Sequence, residues 1–127
     1  MAKPVLVVKV GTSTLLGTHE QPSQAFDYVA ASIAALRPRY DVVLVTSGAI
    51  GFGVRQMALS QRPTEVHALQ ALSMIGQVGL LRRWREAFEG ITVGQVLVTR
   101  QDLERSTTAG LFRESVSSVW SYNARLS

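Results

Sequence analysis

Two segments of this chain carry residues that could bind a negatively charged group. In the first, Lys9 comes just before Gly11–Thr14, which offers a glycine backbone and three hydroxyls. The second, Thr46–Gly51, offers two hydroxyls, of Thr46 and Ser47, and two glycines. Backbone N–H groups and hydroxyls donate hydrogen bonds and an ammonium neutralises charge, so these segments suit a phosphoryl group or a carboxylate.

Each segment follows a run rich in Val and Leu, at Val5–Val10 and at Val42–Val45. Near-continuous apolar runs are typical of strands that are covered on both faces, as in parallel α/β sheets. Ligands of such sheets bind outside the carboxyl ends of the strands. The two loops are therefore predicted to lie side by side and to form a shallow bowl of donors, with the Lys9 ammonium at its edge.

The rest of the sequence predicts helices that alternate with strands. Apolar residues at helical spacing, capping residues and prolines mark where these elements begin and end. The predicted elements are a loop at Leu16–Pro22, a helix at Ser23–Leu36, a strand from Asp41, a short helix at Ala49–Leu59, a long helix at Glu65–Phe88, a third strand at Ile91–Thr99 and a weak helix at Leu111–Tyr122. This order predicts an α/β fold, a parallel-rich sheet with helices on both faces in an α/β/α sandwich.

Gly76 and Gly79 stand inside the long helix, where each glycine costs about 1 kcal/mol of helix propensity. Glycine in a helix interior indicates the close approach of another backbone. We expect that backbone to belong to the sheet or to a second subunit.

Length and composition indicate one globular domain over residues 1–127, with 46% hydrophobic and 17% charged residues. The chain has no cysteine, so it has no disulfide framework and no thiolate metal site. No apolar run approaches the length of a membrane span, and no membrane partner is expected. A cytoplasmic protein is therefore expected.

The net charge of +4 raises the question of nucleic acid, because Arg82, Arg83 and Arg85 cluster near the end of the long helix. No aromatic residues interleave with these arginines as a stacking platform requires. The preferred interpretation is a solvated helix face whose arginine-rich last turn interacts favourably with the helix dipole, and nucleic-acid binding is the less favoured alternative.

The candidate residues also have structural interpretations. Lys9 could extend along the strand end to solvent, and Ser47 with Gly48 could serve only a tight strand-to-helix turn. Lys9 precedes the glycines, whereas the lysine of a Walker A loop follows them. A serine nucleophile is disfavoured because Val45 occupies the position where a nucleophile elbow has glycine.

No metal site is predicted, because His, Asp and Glu do not cluster at ligand spacing. Asp102 and Glu104 follow the third strand and could support a magnesium ion. Helix-capping acids in a solvated loop are the favoured interpretation of this pair.

Four segments, taken in order, resemble the glutamate 5-kinases of the amino acid kinase superfamily. They are Val7–Leu15, Val43–Val54, Gln70–Gln77 and Gln95–Leu103. The resemblance spans residues 3–104, and several matches in order are more specific than any one alone. It implies an α/β/α sandwich that transfers the γ-phosphoryl group of ATP, with Mg²⁺, to the side-chain carboxylate of glutamate, the first step of proline biosynthesis.

The resemblance also implies a role for each candidate residue. Lys9 would be the catalytic residue, because its counterpart in the family contacts the transferring phosphoryl group. The residues implied for phosphate and nucleotide binding are Lys9, Gly11, Thr12 and Ser13, and those implied for glutamate binding are Ser47, Gly48 and Ala49.

By the same resemblance, residues 1–127 correspond to the N-terminal, acceptor-substrate half of an amino acid kinase domain. The adenine-binding lobe of the family lies in the other half. We therefore expect a homo-oligomer or a complementing chain, because a small sheet would leave an edge and apolar faces exposed. The alternative is a non-catalytic truncated fragment or a self-associating module that packs through the helix around Gly76 and Gly79.

Overall fold

A computed structural model describes residues 3–16, 24–97, 104 and 113–122 of the 127-residue chain. The chain divides into two compact units, Met1–Glu89 and Gly90–Ser127. The elements of the first unit are β1 (Val5–Val10), α1 (Thr12–Leu16), α2 (Ala25–Leu36), β2 (Asp41–Thr46), α3 (Ala49–Gln56) and α4 (Val66–Ala87). One domain over 1–127 stays a prediction.

The two strands that the Val and Leu runs predict are confirmed, and they pair in parallel. The register runs from Val5 opposite Asp41 to Val10 opposite Thr46. The chain between them contains α1 and α2, as the crossover of a parallel pair requires. The α/β class, a parallel sheet combined with helices, is therefore confirmed.

The two faces of this strand pair differ in exposure. Val5, Val7 and Val45 lie on one face and are 56%, 61% and 45% exposed. On the other face Val10 is buried, and Trp84 of α4 reaches Thr46. The apolar runs favour cover on both faces, but in the described part of the chain this valine face is open. Apolar composition indicates a strand without specifying what packs on each side of it.

The core of the first unit gathers around aromatic rings from three helices. The ring of Phe26 in α2 lies 4.6 Å from that of Trp84 in α4 and 5.8 Å from that of Phe52 in α3, between centroids. Phe88 stacks on Trp84 at 5.8 Å. Among the described residues, the buried apolar side chains are Val10, Leu15, Phe26, Ala30, Ile33, Leu72, Leu80, Trp84 and Phe88.

The close approach that glycine in α4 predicts is made by α3. A Cβ on Gly76 would overlap the carbonyl of Ala49 and the amide nitrogen of Gly53. A Cβ on Gly53 would in turn overlap the backbone of Leu72 in α4. The expectation of the sheet or a second subunit at Gly76 was therefore wrong, because the approaching backbone is a neighbouring helix of the same chain.

Two other expectations differ from the structure. Thr12–Leu16, expected as part of a loop, forms the short helix α1, which buries Leu15 and begins after Gly11. The described part of the expected third strand, residues 91–97, pairs with no other described strand. Its Ile, Val and Leu residues are typical of a strand, but a strand forms in a sheet only where a neighbouring strand pairs with its backbone N–H and C=O groups. The predicted loop beyond Leu16, at residues 17–22, lies outside the described residues.

In the second unit, residues 113–122 are helical, which agrees with the weak helix expected there. Within this unit a Cβ on Gly94 would stand 3.2 Å from a methyl of Val119. Gly94 therefore lies close to that helix.

The end of α3 places an alanine where glycine is usual. The Leu59 N–H bonds the Val54 carbonyl and the Ala58 N–H bonds the Arg55 carbonyl, each at 3.0 Å, which is the Schellman pattern. Ala58 has φ +53°, in the left-handed region. We expect Ala58→Gly to raise the free energy of unfolding by about 0.5 kcal/mol. Glycine removes the steric cost of the left-handed conformation, about 1–2 kcal/mol, and this gain exceeds the entropic cost of ordering glycine.

The measurement is the urea midpoint of the purified chain. Ala71→Gly is the matched control, because Ala71 is exposed inside α4 and the same change there should cost about 1 kcal/mol. Equal losses in both variants would contradict a strained Ala58.

Candidate functional site at the strand ends

The carboxyl ends of β1 and β2 lie side by side, because Val10 is the register partner of Thr46. From this edge the chain enters α1 after Gly11 and enters α3 after Ser47 and Gly48. Open α/β sheets bind their ligands at this edge. The two segments singled out in the sequence therefore begin at one place.

A hydrogen bond joins the two segments directly. Thr12 Oγ1 and Ser47 Oγ are 2.9 Å apart, and either hydroxyl can be the donor. Each hydroxyl keeps acceptor capacity, and the hydroxyl that accepts keeps its own proton for a ligand. The structure thus brings together one residue predicted for phosphate binding and one predicted for glutamate binding.

Gly48 makes the turn from β2 into α3. Its φ of +116° is a backbone conformation that residues other than glycine rarely adopt. Its carbonyl accepts the Phe52 N–H at 2.9 Å, so the helix begins here. The first N–H groups of α3 have no partner within the helix, and the helix dipole adds partial positive charge. This end of α3 can therefore favour an anion beside Ser47.

Lys9 lies on β1, opposite Val45 and on the open face with Val5 and Val7. Its side chain is exposed, and it makes no hydrogen bond or ion pair with another described residue. An ammonium in this position is available to an anion that reaches the valine face. The structure joins it to neither Thr12 nor Ser47.

The remaining candidates lie around the same strand ends. Gly11 is exposed with open space at its Cα, and its carbonyl accepts the Leu15 N–H at 3.3 Å. Ser13 is exposed on α1. The carbonyl of Ala49 lies against Gly76, so this residue also serves the contact between α3 and α4.

Trp84 and Thr46, which are not among the residues implied for phosphate or glutamate binding, contact the turn at Ser47. Trp84 donates its indole N–H to Thr46 Oγ1 at 3.3 Å, and Thr46 Oγ1 donates to the Ser47 carbonyl at 3.2 Å. One feature of the sequence could have indicated this contact. Thr46 carries a hydroxyl on the side of β2 where alternation from Val42 and Leu44 predicts an apolar residue.

The arginine cluster of α4 is partly engaged within the chain. Arg83 Nη2 lies 3.1 Å from a carboxylate oxygen of Asp27, and the Arg83 guanidinium carbon lies 4.9 Å above the ring of Phe26. Arg82 and Arg85 are exposed. Arg83 therefore ties α4 to α2, which agrees with a structural role for this residue.

The described residues hold no group of three or more His, Asp or Glu side chains that could bind a metal ion. The magnesium alternative at Asp102 and Glu104 depends on Asp102, which lies outside the described residues. None of the helices in the described ranges is long and apolar enough to cross a membrane.

The sequence matches known proteins over most of its length. The model of the amino acid kinase family matches residues 4–126. This chain belongs to the amino acid kinase family. Within the family, it is similar to the glutamate 5-kinase of Thermus thermophilus, with 44% identity over 101 residues, which are 77% of this chain and 27% of that enzyme.

Two further relatives in the amino acid kinase family give the same result. The glutamate 5-kinase of Prochlorococcus marinus is 48% identical over 101 residues, 76% of this chain and 28% of the relative. That of Symbiobacterium thermophilum is 42% identical over 105 residues, 78% of this chain and 39% of the relative. The chain thus spans between about a quarter and two fifths of the length of these enzymes.

Proposed function

We propose that residues 1–127 act as the acceptor-substrate half of an ATP-dependent kinase that phosphorylates the side-chain carboxylate of glutamate, in proline biosynthesis. The observation that carries this proposal is the hydrogen bond between Thr12 and Ser47 at the carboxyl ends of two parallel strands. It unites two segments with different proposed ligands. The similarity to glutamate 5-kinases supports the choice of substrate.

In the proposed reaction, an oxygen of the glutamate carboxylate forms a bond to the γ-phosphorus of ATP. The bond from that phosphorus to the β,γ-bridging oxygen breaks, and ADP leaves with the electron pair. Such a transfer depends on positioning and charge neutralisation more than on covalent help from the protein. Lys9 supplies the positive charge at the phosphoryl group, and Ser47 with the N–H groups of Gly48 and Ala49 holds the carboxylate.

The donor set at the strand ends fits phosphate oxygens. Gly11 offers open backbone space, and Thr12 and Ser13 offer hydroxyls. Mg²⁺ would enter with ATP, because phosphate oxygens are ligands that this ion prefers. When bound, the ion would neutralise charge that develops on those oxygens.

We further propose that the active form contains more than one chain, either a homo-oligomer or a complex with a complementing chain. The open valine face of Val5, Val7 and Val45 supports this, because adjacent exposed valines favour burial. A cytoplasmic location follows from the proposed substrates. The competing function, a self-associating module without catalysis, is supported by the same open face.

The test is calorimetric titration of the full chain with Mg²⁺–ATP and, separately, with glutamate. Lys9→Ala is expected to weaken Mg²⁺–ATP binding about tenfold, because it removes a charge-assisted contact to phosphate. Glutamate-dependent formation of ADP should fall with it.

Lys3→Ala is the matched control, since Lys3 carries the same charge before β1 and its ammonium donates to the Arg37 carbonyl at 3.0 Å. It should leave ATP binding unchanged. Equal losses in the two variants would show that net charge alone attracts the nucleotide. If the unmodified chain binds neither ligand at millimolar concentration, the kinase proposal fails and the non-catalytic module stands.

A further inference from the structure

A polar contact crosses the core side of β2 and ends at the site. Thr46 lies on the same side of the strand as Val42 and Leu44, and the ring of Trp84 packs beside it. Trp84 is 3% exposed and is held by the rings of Phe26 and Phe88. Its indole therefore presents the N–H from a fixed position, because rotation would break packing on both sides.

The direction of the hydrogen bonds follows from chemistry. An indole N–H can only donate, so Thr46 Oγ1 accepts from Trp84 at 3.3 Å. A carbonyl can only accept, so the Thr46 hydroxyl directs its one proton to the Ser47 carbonyl at 3.2 Å. Trp84, Thr46 and Ser47 thus form a one-way relay in which each group is used once.

The relay sets the orientation of the peptide between Ser47 and Gly48. In a planar trans peptide, the carbonyl and the following N–H point in opposite directions. Since the Ser47 carbonyl turns toward Thr46, the Gly48 N–H turns away from it. None of the described residues accepts a hydrogen bond from that N–H.

We infer that Trp84 and Thr46 are positioning residues for the turn at Ser47 and Gly48, and that they aim the Gly48 N–H at a carboxylate or phosphoryl ligand. This inference rests on the proposed function for the identity of the ligand. The hydrogen bonds among Trp84, Thr46 and Ser47 do not depend on the proposed function, because all three residues are described in the structure. Neither residue touches the ligand.

The experiment compares Thr46→Val, which keeps the shape and removes the hydroxyl, with Thr46→Ser, which keeps the hydroxyl. In the ligand-free chain, amide exchange at Phe52 reports on the turn, because its N–H bonds the Gly48 carbonyl. Thr46→Val is expected to speed Phe52 exchange about tenfold relative to the Leu80 amide in α4, since both hydrogen bonds of the Thr46 hydroxyl are lost. Thr46→Ser should keep the original ratio, and Trp84→Phe should reproduce part of the change.

A glutamate titration completes the test. Thr46→Val should weaken glutamate binding about tenfold, and Thr46→Ser should restore it. A uniform rise in exchange at Phe52 and Leu80 would overturn the inference, because it would show a general loss of stability. An unchanged ratio in Thr46→Val would also overturn it. If the unmodified chain binds no glutamate, the proposed function fails, while the exchange ratio still decides whether the relay positions the turn.

Discussion

Gly76→Ala is expected to destabilise the first unit by about 3 kcal/mol or more. The added Cβ would overlap the backbone of Ala49 and Gly53, and backbone atoms cannot move aside as the end of a side chain can. The two helices would have to separate along their whole contact. Urea unfolding of the full chain, followed by helical circular dichroism, measures the loss.

Gly79→Ala provides a control on the same helix. A Cβ there would stand 3.4 Å from the Phe52 ring, which is ordinary contact, and alanine gains about 1 kcal/mol of helix propensity. Gly79→Ala should therefore be as stable as the parent or slightly more so. Equal destabilisation by the two alanines would refute the close approach of α3 and α4.

Phe26→Ala should cost about 3–5 kcal/mol of unfolding free energy, as expected for removing a large buried aromatic side chain. Phe26 is 2% exposed and contacts the rings of Phe52 and Trp84. Its loss would open a cavity between three helices. It would also remove the ring beneath the guanidinium of Arg83. The same urea experiment measures the effect.

Tyr28→Ala is the matched control, because Tyr28 is an aromatic residue of the same helix that is 76% exposed. An exposed substitution of this kind should change stability by less than about 0.5 kcal/mol. Similar losses of unfolding free energy in Phe26→Ala and Tyr28→Ala would mean that the aromatic cluster does not stabilise the packing of α2.

The sequence predicted the elements with strong patterns well. The apolar runs gave β1 and β2, and helical spacing gave α4 within one residue at each end. Strand pairing in parallel then followed from the alternation of elements, and with it the placement of the two loops side by side. The pattern of a single element does not state which other element packs against it, so glycine in α4 predicted a close neighbour without predicting that α3 would be that neighbour.

Short segments and segments without a partner strand were the other elements that the sequence predicted poorly. Thr12–Leu16 is too short to show a helical period, and three hydroxyls in succession are equally typical of a loop. Residues 91–97 have strand-like composition, but the sequence cannot supply the partner that a strand needs. At the candidate site, the sequence singled out the residues of the turn, and their roles stay predictions. It did not predict the hydrogen bond between Trp84 and Thr46, because that contact spans 38 residues.

The sequence separation between contacting residues also predicts the order in which parts of the first unit fold. Gly53 and Gly76, which meet where α3 and α4 cross, are closer in sequence than Val5 and Asp41. Pairing of β1 with β2 must close the longer loop, which contains α1 and α2. Local contacts form faster because less chain entropy is lost before they are made. We therefore expect the helical pair to assemble first and the two strand ends to come together late, so that the candidate binding residues reach their final arrangement only when most of the unit is already folded.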